Sequence, residues 1–128
     1  DIATLTGAAG SIFNDLAIVL MGNDENYNTL IKKSSQNCNE RIWELPLWDE
    51  YIDLTKANIS DLKNYDYSVK AGAIMAGAFL YNFVPKNVKW IHLDIAGPSY
   101  IYTENKYLFE GATGYSCRSL FRFIELIK

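Results

Sequence analysis

The sequence predicts an α/β fold built as three layers, with a sheet flanked by helices. Residues 16–21 form an unbroken apolar run of strand length, without the polar alternation of a half-exposed strand, and residues 88–95 predict a second buried strand. Between them, residues 24–36 carry apolar side chains at the 3.6-residue spacing of a surface helix. Buried strands that alternate with amphipathic helices are typical of α/β domains.

The chain opens with a short apolar stretch that predicts a buried strand over residues 2–6, ending at Gly7. A short helix from Ala8 to about Asn14 should follow, because Gly7 and Gly10 bound a run of small residues. The sequence begins inside the first strand without an initiator Met or a leader. This beginning predicts that the chain is part of a longer one.

The middle of the chain alternates helical and irregular stretches. Asn23 or Asp24 can cap the helix through Gln36. Pro46 interrupts the helical pattern, which resumes over residues 48–56. Residues 58–68 are polar and aperiodic, and they predict a surface loop.

Two further helices are predicted downstream. Residues 69–84 are apolar nearly all round and contain glycines, each of which costs a helix about 1 kcal/mol relative to Ala. Such glycines are usually tolerated where a neighbour approaches closely, so this helix should be central. Residues 116–128 predict an amphipathic closing helix. Its inward face should consist of Cys117, Leu120, Phe121, Ile124 and Ile127.

Composition excludes several classes of function. The net charge is −3 and no basic run occurs, which disfavours a nucleic-acid partner. The longest apolar runs are shorter than the roughly 20 residues of a membrane-spanning helix, so no membrane partner is expected. Cys38 and Cys117 could pair, but their spacing is not that of a disulfide framework, and free thiols are the simpler interpretation.

The candidate ligand site lies where the predicted inner strands end. In open α/β sheets, ligands bind outside the carboxyl ends of the strands. Residues 5–8 and 95–99 follow two predicted strands and consist mostly of small residues, so both are candidate pocket walls. The alternative is that their glycines only form turns.

His92 is the only histidine, so any histidine-dependent catalysis would have to be built around it. Its place inside a strand favours a core residue over a general base. Asp94 lies two residues further on and faces the same side. It could orient His92 or make a structural hydrogen bond to nearby backbone, and the sequence leaves both open.

No stretch of this chain predicts a metal site. Such a site needs at least three converging ligands, and no HExxH, CxxC or DxD motif occurs in a suitable context. The clustered acids fall on predicted exposed helix faces or helix ends, where carboxylates are solvated or act as caps. These acids are Asp24, Glu25, Asp49, Glu50 and Asp53.

Three ordered segments resemble the leucyl (cytosol) aminopeptidase family: ATLTGA at residues 3–8, HLDIAG at 92–97 and GATG at 111–114. WELPL at 43–47 and KAGAI at 70–74 also resemble the family's intervening pattern. The resemblance covers essentially the whole chain. It implies that residues 1–128 are the C-terminal portion of a single catalytic domain.

The family resemblance implies a metallo-exopeptidase that releases leucine-like N-terminal residues from peptides. Two divalent ions, Zn or Mn, activate a water and polarise the scissile carbonyl in such enzymes. Their ligands, a lysine and several carboxylates, belong to a portion that would precede Asp1. The resemblance therefore implies an aminopeptidase as the parent protein, while the isolated chain should bind no metal and be inactive.

The same resemblance assigns substrate-binding residues but no catalytic ones. Thr4, Gly7, Ala96 and Ser99 match the wall that receives the N-terminal side chain. The backbones of Leu5 and Gly7 match groups that bind the substrate main chain and a carbonate-like anion. The family also implies a cytoplasmic homo-hexamer.

Some positions depart from the family pattern, and a non-catalytic function remains an alternative. Residues 12–15 replace a glycine-containing stretch, Glu110 stands where a lysine is common, and Pro98 stands where Thr or Val is common. Pro98 could alter the shape of the pocket. The alternative is a degenerate relative that acts as a structural or interaction module. A DNA-associated role, also known in the family, is not supported by the acidic charge balance.

Overall fold

The computed structural model describes residues 1–104 and 107–127, and it confirms the α/β class with a four-stranded sheet flanked by helices. The strands are β1 (Ile2–Ala3), β2 (Ile18–Gly22), β3 (Ile42–Glu44), β4 (Ile91–Asp94), β5 (Tyr100–Ile101) and β6 (Gly111–Ala112). The helices are α1 (Gly7–Phe13), α2 (Glu25–Asn37), α3 (Asp49–Asp53), α4 (Gly72–Tyr81) and α5 (Cys117–Leu126).

The sheet is mixed, with the strand order β1-β4-β2-β3. β1 runs parallel to β4, and β2 runs parallel to β3, but β2 and β4 are antiparallel. The carboxyl ends of β1 and β4 therefore lie at the same end of the sheet as the amino ends of β2 and β3. β5 and β6 form a separate antiparallel pair.

The two faces of the sheet bury different clusters, because successive side chains of a strand point to opposite sides. On one face, β2 packs against α2 and α5 through Ile18, Leu20, Ile31, Leu93 and Phe123. On the other face, it packs against α1 and α4 through Val19, Met21, Ala9 and Ala73. The helices thus form the two outer layers, as the sequence predicts.

α4 lies against the sheet at close range, as its glycines predict. A Cβ at Gly77 would lie 2.1 Å from Cε of Met21, and Met21 is fully buried. A Cβ at Gly72 would lie 2.9 Å from the Cβ of Ala8 in α1. A side chain at either position would therefore require Met21, α1 or α4 to shift.

The first strands differ from the sequence expectation in length and burial. β1 contains only two residues, and Ile2 is 43% exposed, because β1 is an edge strand of the described sheet. The buried run begins at Ala17, since Leu16 is 57% exposed. β3 was not predicted at all. It forms by parallel pairing with β2, which buries Ile42.

The predicted inward face of α5 is wrong in most positions. Cys117, Phe121, Ile124 and Ile127 are exposed, whereas Leu120 contacts the core. The helix is rotated relative to this prediction because buried Glu40 accepts hydrogen bonds from the backbone N–H and the hydroxyl of Ser119. Glu40 also forms an ion pair with Arg118 Nε at 3.1 Å. Lys128, the last residue of the predicted helix, lies outside the described residues.

The remaining expectations concern the surface. Residues 58–68 contain no helix or named strand, in agreement with the predicted loop. Cys38 and Cys117 are both free thiols. Among the helices in the part of the chain that the structure describes, none has the length and apolar character needed to cross a membrane.

Candidate functional site

The carboxyl ends of β1 and β4 lie next to each other at one end of the sheet. Ala3 is paired with Asp94 in parallel register, and the N–H of Ile95 donates to the carbonyl of Ala3 at 2.9 Å. The two segments that follow, residues 4–8 and 95–99, leave the sheet side by side. Sequence reasoning therefore selected two segments that the fold brings together.

The carboxylate of Asp94 joins these two segments. Its Oδ1 accepts the backbone N–H of Leu5 and of Ala96, each at 3.1 Å, and its Oδ2 accepts the hydroxyl of Thr6 at 2.7 Å. Asp94 is only 1% exposed, and its three bonds are partly buried. The sequence left open whether Asp94 orients His92 or makes structural hydrogen bonds to nearby backbone. The structure shows the hydrogen bonds to backbone.

Thr6 extends the same network into α1. It is the N-cap of this helix, and its Oγ1 accepts the N–H of Ala9 at 3.0 Å while its hydrogen goes to Asp94. A capping hydroxyl satisfies one of the N–H groups that a helix leaves unpaired at its start. The direction in which α1 leaves the sheet is therefore linked to the end of β4.

The other end of α1 is held close to the segment after β4. A Cβ at Gly97 would lie only 2.0 Å from the carbonyl oxygen of Asn14, at the C-cap of α1. Only a glycine can occupy this position without moving backbone. Gly97 thus has a packing role that the sequence suggested only as backbone freedom.

Two cavities open beside these segments, on either side of the start of α1. The first, of about 410 Å³, is lined by Gly7, Gly10, Ala96 and Tyr102 among others. The second, of about 530 Å³, is lined by Leu5, Gly7 and apolar residues of α4 such as Phe79. Both have the size of small-molecule or side-chain pockets.

The five predicted substrate-binding residues are placed differently around these cavities. Gly7 lines both, and a Cβ there would meet no atom within 4 Å, so this backbone faces open space. Ala96 lines the first cavity and Leu5 the second, but Thr4 and Ser99 line neither. The role of all five in binding a substrate stays a prediction.

Ser99 instead links the pocket segment to the GATG stretch. Its N–H donates to the carbonyl of Ile95 at 3.0 Å, and its own carbonyl accepts the N–H of Thr113 at 3.0 Å. The hydroxyl of Thr113 donates to the carbonyl of Pro98 at 2.6 Å. Sequence reasoning did not assign Thr113 a role, although it lies in a motif that was singled out.

His92 lies within the core, as its position inside a strand predicts. It is fully buried on the face of β4 that carries Asp94, and its Nδ1 lies 3.1 Å from Oδ2 of Asp1. Burial lowers the pKa of His92 from 6.5 to about 4, so the ring is neutral near pH 7. The neutral ring lies inside the sheet, near the start of β4, and not among the residues that follow its carboxyl end.

The clustered acids lie at helix ends or on exposed helix faces, as the sequence predicts. Asp24 caps α2 by accepting the N–H of Tyr27 at 3.0 Å, and this bond lowers the pKa of its carboxyl. Asp53 pairs with exposed Lys56. Over residues 1–104 and 107–127, no three His, Cys, Asp or Glu side chains converge as metal ligands.

A further, larger cavity was not predicted from the sequence. It measures about 1030 Å³ and lies at the same edge of the sheet, between α1 and the segment before β3. Its lining includes Ile12, Leu16 and Trp43, which are exposed apolar side chains. Because it shares Gly10 and Asn14 with the 410 Å³ cavity, α1 separates the two.

Fold and site together define a three-layer α/β domain with pockets at the ends of two parallel strands. The profile of the "Cytosol aminopeptidase family, catalytic domain" matches residues 1–121. The chain therefore belongs to the cytosol aminopeptidase family, as its motifs predict. This is a family of metal-dependent aminopeptidases.

Similar proteins agree with this assignment. The "Probable cytosol aminopeptidase" of Geotalea uraniireducens is 44% identical over 128 residues, which are 100% of this chain and 26% of that protein. The protein of the same description from Clostridium tetani is 42% identical over 121 residues, 94% of this chain and 25% of its own length. The chain thus spans about a quarter of these relatives.

A solved structure supports the fold. The bottromycin maturation enzyme BotP in complex with Mn superimposes with a TM-score of 0.93 at 28% identity. The match covers 99% of this chain and 28% of that one. The Mn belongs to BotP, and the residues described here do not converge on a metal site of their own.

Proposed function

We propose that the protein containing this chain is a two-metal aminopeptidase that releases leucine-like residues from the N-termini of peptides. In this proposal the chain supplies part of the wall of the substrate pocket. The observation that carries the proposal is the joining of two family motifs, at residues 3–8 and 92–97, around Asp94 beside a cavity of about 410 Å³.

Small residues at the strand ends suit a pocket for a leucine-sized side chain. Gly7 and Ala96 leave space that larger residues would fill, and Tyr102 adds an aromatic wall. In the proposal, Thr4, Gly7, Ala96 and Ser99 form the wall for the first side chain of the peptide. Thr4 and Ser99 line neither cavity beside this site, so Gly7 and Ala96 are the members of this set that line the cavity of about 410 Å³.

The backbone of the β1–α1 turn suits the main chain of a peptide. Leu5 is 39% exposed, so its backbone lies near the surface, although its N–H is used by Asp94. We assign the backbones of Leu5 and Gly7 to the substrate main chain and to a carbonate-like anion. Backbone groups at such positions are fixed in place before the substrate binds.

The metal ions are assigned to another part of the protein. The described residues do not fit a metal site, because no three ligand side chains converge. We propose that a lysine and several carboxylates elsewhere in the protein hold two Zn or Mn ions. The present residues bind and orient the peptide, and the protein works as a cytoplasmic homo-hexamer without nucleic-acid or membrane partners.

The proposal is tested with the full-length protein and leucine amide as substrate. Hydrolysis should be lost after dialysis against EDTA and should return with Mn²⁺ or Zn²⁺. Metal analysis should give two ions per chain. Absence of hydrolysis with either metal would refute the proposal and favour a non-catalytic structural module.

The isolated 128-residue chain provides a matched control. It should neither hydrolyse leucine amide nor retain Zn or Mn in stoichiometric amounts, because the described residues do not form a metal site. Metal-dependent turnover by residues 1–128 alone would contradict the assignment of the metals to another portion.

A further inference from the structure

We propose that Asp94 is a positioning residue for substrate binding. It holds the β1–α1 turn and the segment after β4 in the arrangement that forms the pocket. This inference rests on the proposed function, since it assigns a task to a side chain that touches neither the substrate nor a metal. Its contacts are the Leu5 and Ala96 amides and the Thr6 hydroxyl.

The two pocket segments, residues 4–8 and 95–99, lie beyond the last hydrogen-bonded pairs of β1 and β4. The last pair of the β1–β4 ladder is Ala3 with Asp94, followed by one further bond from the N–H of Ile95 to the carbonyl of Ala3. After that point, Leu5 and Ala96 have no ladder to hold them side by side. Asp94 replaces the ladder there, because its Oδ1 accepts one N–H from each segment.

The second oxygen of Asp94 fixes α1. Its Oδ2 accepts the hydroxyl of Thr6, which leaves the lone pairs of Thr6 Oγ1 free to accept the N–H of Ala9. The start of α1, with Gly7, lines both cavities of the candidate site. The orientation of this helix therefore depends on which atom at position 94 faces Thr6.

Asn cannot reproduce all three of the Asp94 hydrogen bonds. A carboxylate accepts at both oxygens, whereas an amide accepts at one end and donates at the other. In Asp94→Asn, the amide oxygen can still accept the two backbone N–H groups, but the NH₂ group then donates to the Thr6 hydroxyl, whose own hydrogen loses its acceptor. A buried donor without an acceptor is costly, so the turn should move until its groups are satisfied.

The chain offers a matched control in Glu40. Glu40 is as buried as Asp94, at 1% exposure, and it accepts two hydrogen bonds from Ser119 and one from Arg118. It lies between α2 and β3 and bonds the start of α5, and none of its bonds involves residues 4–8 or 95–99. Glu40→Gln should destabilise the fold in the same way without changing the pocket.

The experiment compares both variants in the full-length protein with Mn²⁺, using leucine amide and alanine amide. For Asp94→Asn we expect KM for leucine amide to rise about tenfold, the effect of one unsatisfied buried donor. The preference for leucine over alanine should fall, because the wall has moved. Glu40→Gln should keep the wild-type KM and preference.

Thr6 provides a second pair of variants if Asp94→Asn fails to fold. Thr6→Val removes the hydroxyl and should raise KM for leucine amide, whereas Thr6→Ser keeps it and should restore the wild-type value. A purely structural role would lower the apparent kcat for both substrates equally, through loss of folded protein, at unchanged KM. That pattern in Asp94→Asn or Thr6→Val would overturn the proposal.

Inactivity of the wild-type protein with both Mn²⁺ and Zn²⁺ would refute the proposed function instead. The positioning of the turn is then measured by amide hydrogen exchange. Residues 4–9 should exchange about tenfold faster in Asp94→Asn than in wild type, but not in Glu40→Gln. Equal exchange in both variants would show that Asp94 does not hold the turn.

Discussion

The contact between Gly97 and α1 leads to a quantitative prediction. In Gly97→Ala, the new Cβ would lie 2.0 Å from the carbonyl oxygen of Asn14, whereas ordinary contact begins near 3.4 Å. Either α1 or the segment after β4 must therefore move by about 1.4 Å. The backbone fixes the position of the new Cβ, and the carbonyl oxygen of Asn14 is itself a backbone atom, so no side-chain rotation can relieve the overlap.

The cost of Gly97→Ala follows from this overlap. Overpacking of a well-packed region typically costs about 1–3 kcal/mol, and a backbone conflict should fall in the upper half of that range. α1 also lines the candidate pockets. A displacement of about 1 Å in a catalytic site can lower catalytic efficiency by up to about a hundredfold.

The assay uses the full-length protein and compares Gly97→Ala with Gly7→Ala. Gly97→Ala should lower both the urea midpoint of unfolding and kcat/KM for leucine amide. Gly7 is the first residue of α1, and an added Cβ there meets no atom within 4 Å. Gly7→Ala should thus keep or raise stability, by up to about 1 kcal/mol. It should still raise KM, because the methyl group enters the cavity.

The two variants separate packing from binding. The packing argument fails if Gly97→Ala unfolds at the wild-type urea concentration and keeps its catalytic efficiency within about twofold. The pocket assignment fails if Gly7→Ala binds leucine amide with the wild-type KM. Each result can occur without the other, so the fold and the site are tested independently.

Two further predictions concern the core. Gly77→Ala would place a Cβ 2.1 Å from Cε of fully buried Met21, and it should lower stability to thermal unfolding by about 1–3 kcal/mol. Adding Met21→Ala should recover part of this loss. If the effects of the two substitutions are simply additive, the contact is contradicted. The pKa of His92 is lowered to about 4 in the fold, so the unfolded chain binds its proton first as pH falls. Its contribution to stability is complete above about pH 6.5 and is lost toward pH 4, by up to roughly 3 kcal/mol. In His92→Gln, urea midpoints should fall less steeply between pH 6.5 and pH 4; an unchanged slope would exclude His92 as the cause.

Sequence reasoning succeeded where local signals decide the structure. Asp24 caps α2 as its side chain and position predict. The apolar run before Gly22 forms a strand buried on both faces, and the glycines of α4 mark a close approach to Met21. Each of these features depends on residues that are near in sequence or on a simple burial pattern.

Sequence reasoning failed where residues that are distant in sequence determine the local structure. Ile42 lies in β3 because β2 offers parallel pairing, and no local pattern of three residues predicts a strand. α5 turns Ser119 inward because Glu40, 79 residues earlier, accepts its N–H and hydroxyl. A hydrophobic stripe alone favoured Phe121, which is 69% exposed. The polar contact determined the rotation of this helix.

The candidate site was predicted in part. The ends of two strands were expected to approach each other, and they are joined through Asp94. The sequence could not show that Asp94 makes these bonds, since the role of a carboxylate depends on which donors the fold places around it. Ser99 and Thr4 came from family motifs, and the structure puts them outside both cavities beside the site.

The bond between Asp94 and Leu5 spans 89 residues of chain, which bears on how this domain acquires its shape. Closing so long a loop has an entropic cost that local contacts cannot offset, so this junction should form late in folding. Helices should appear first during renaturation, and protection of the Leu5 amide should return only later. A refolding chain would thus have native helix content before residues 4–8 and 95–99 come together.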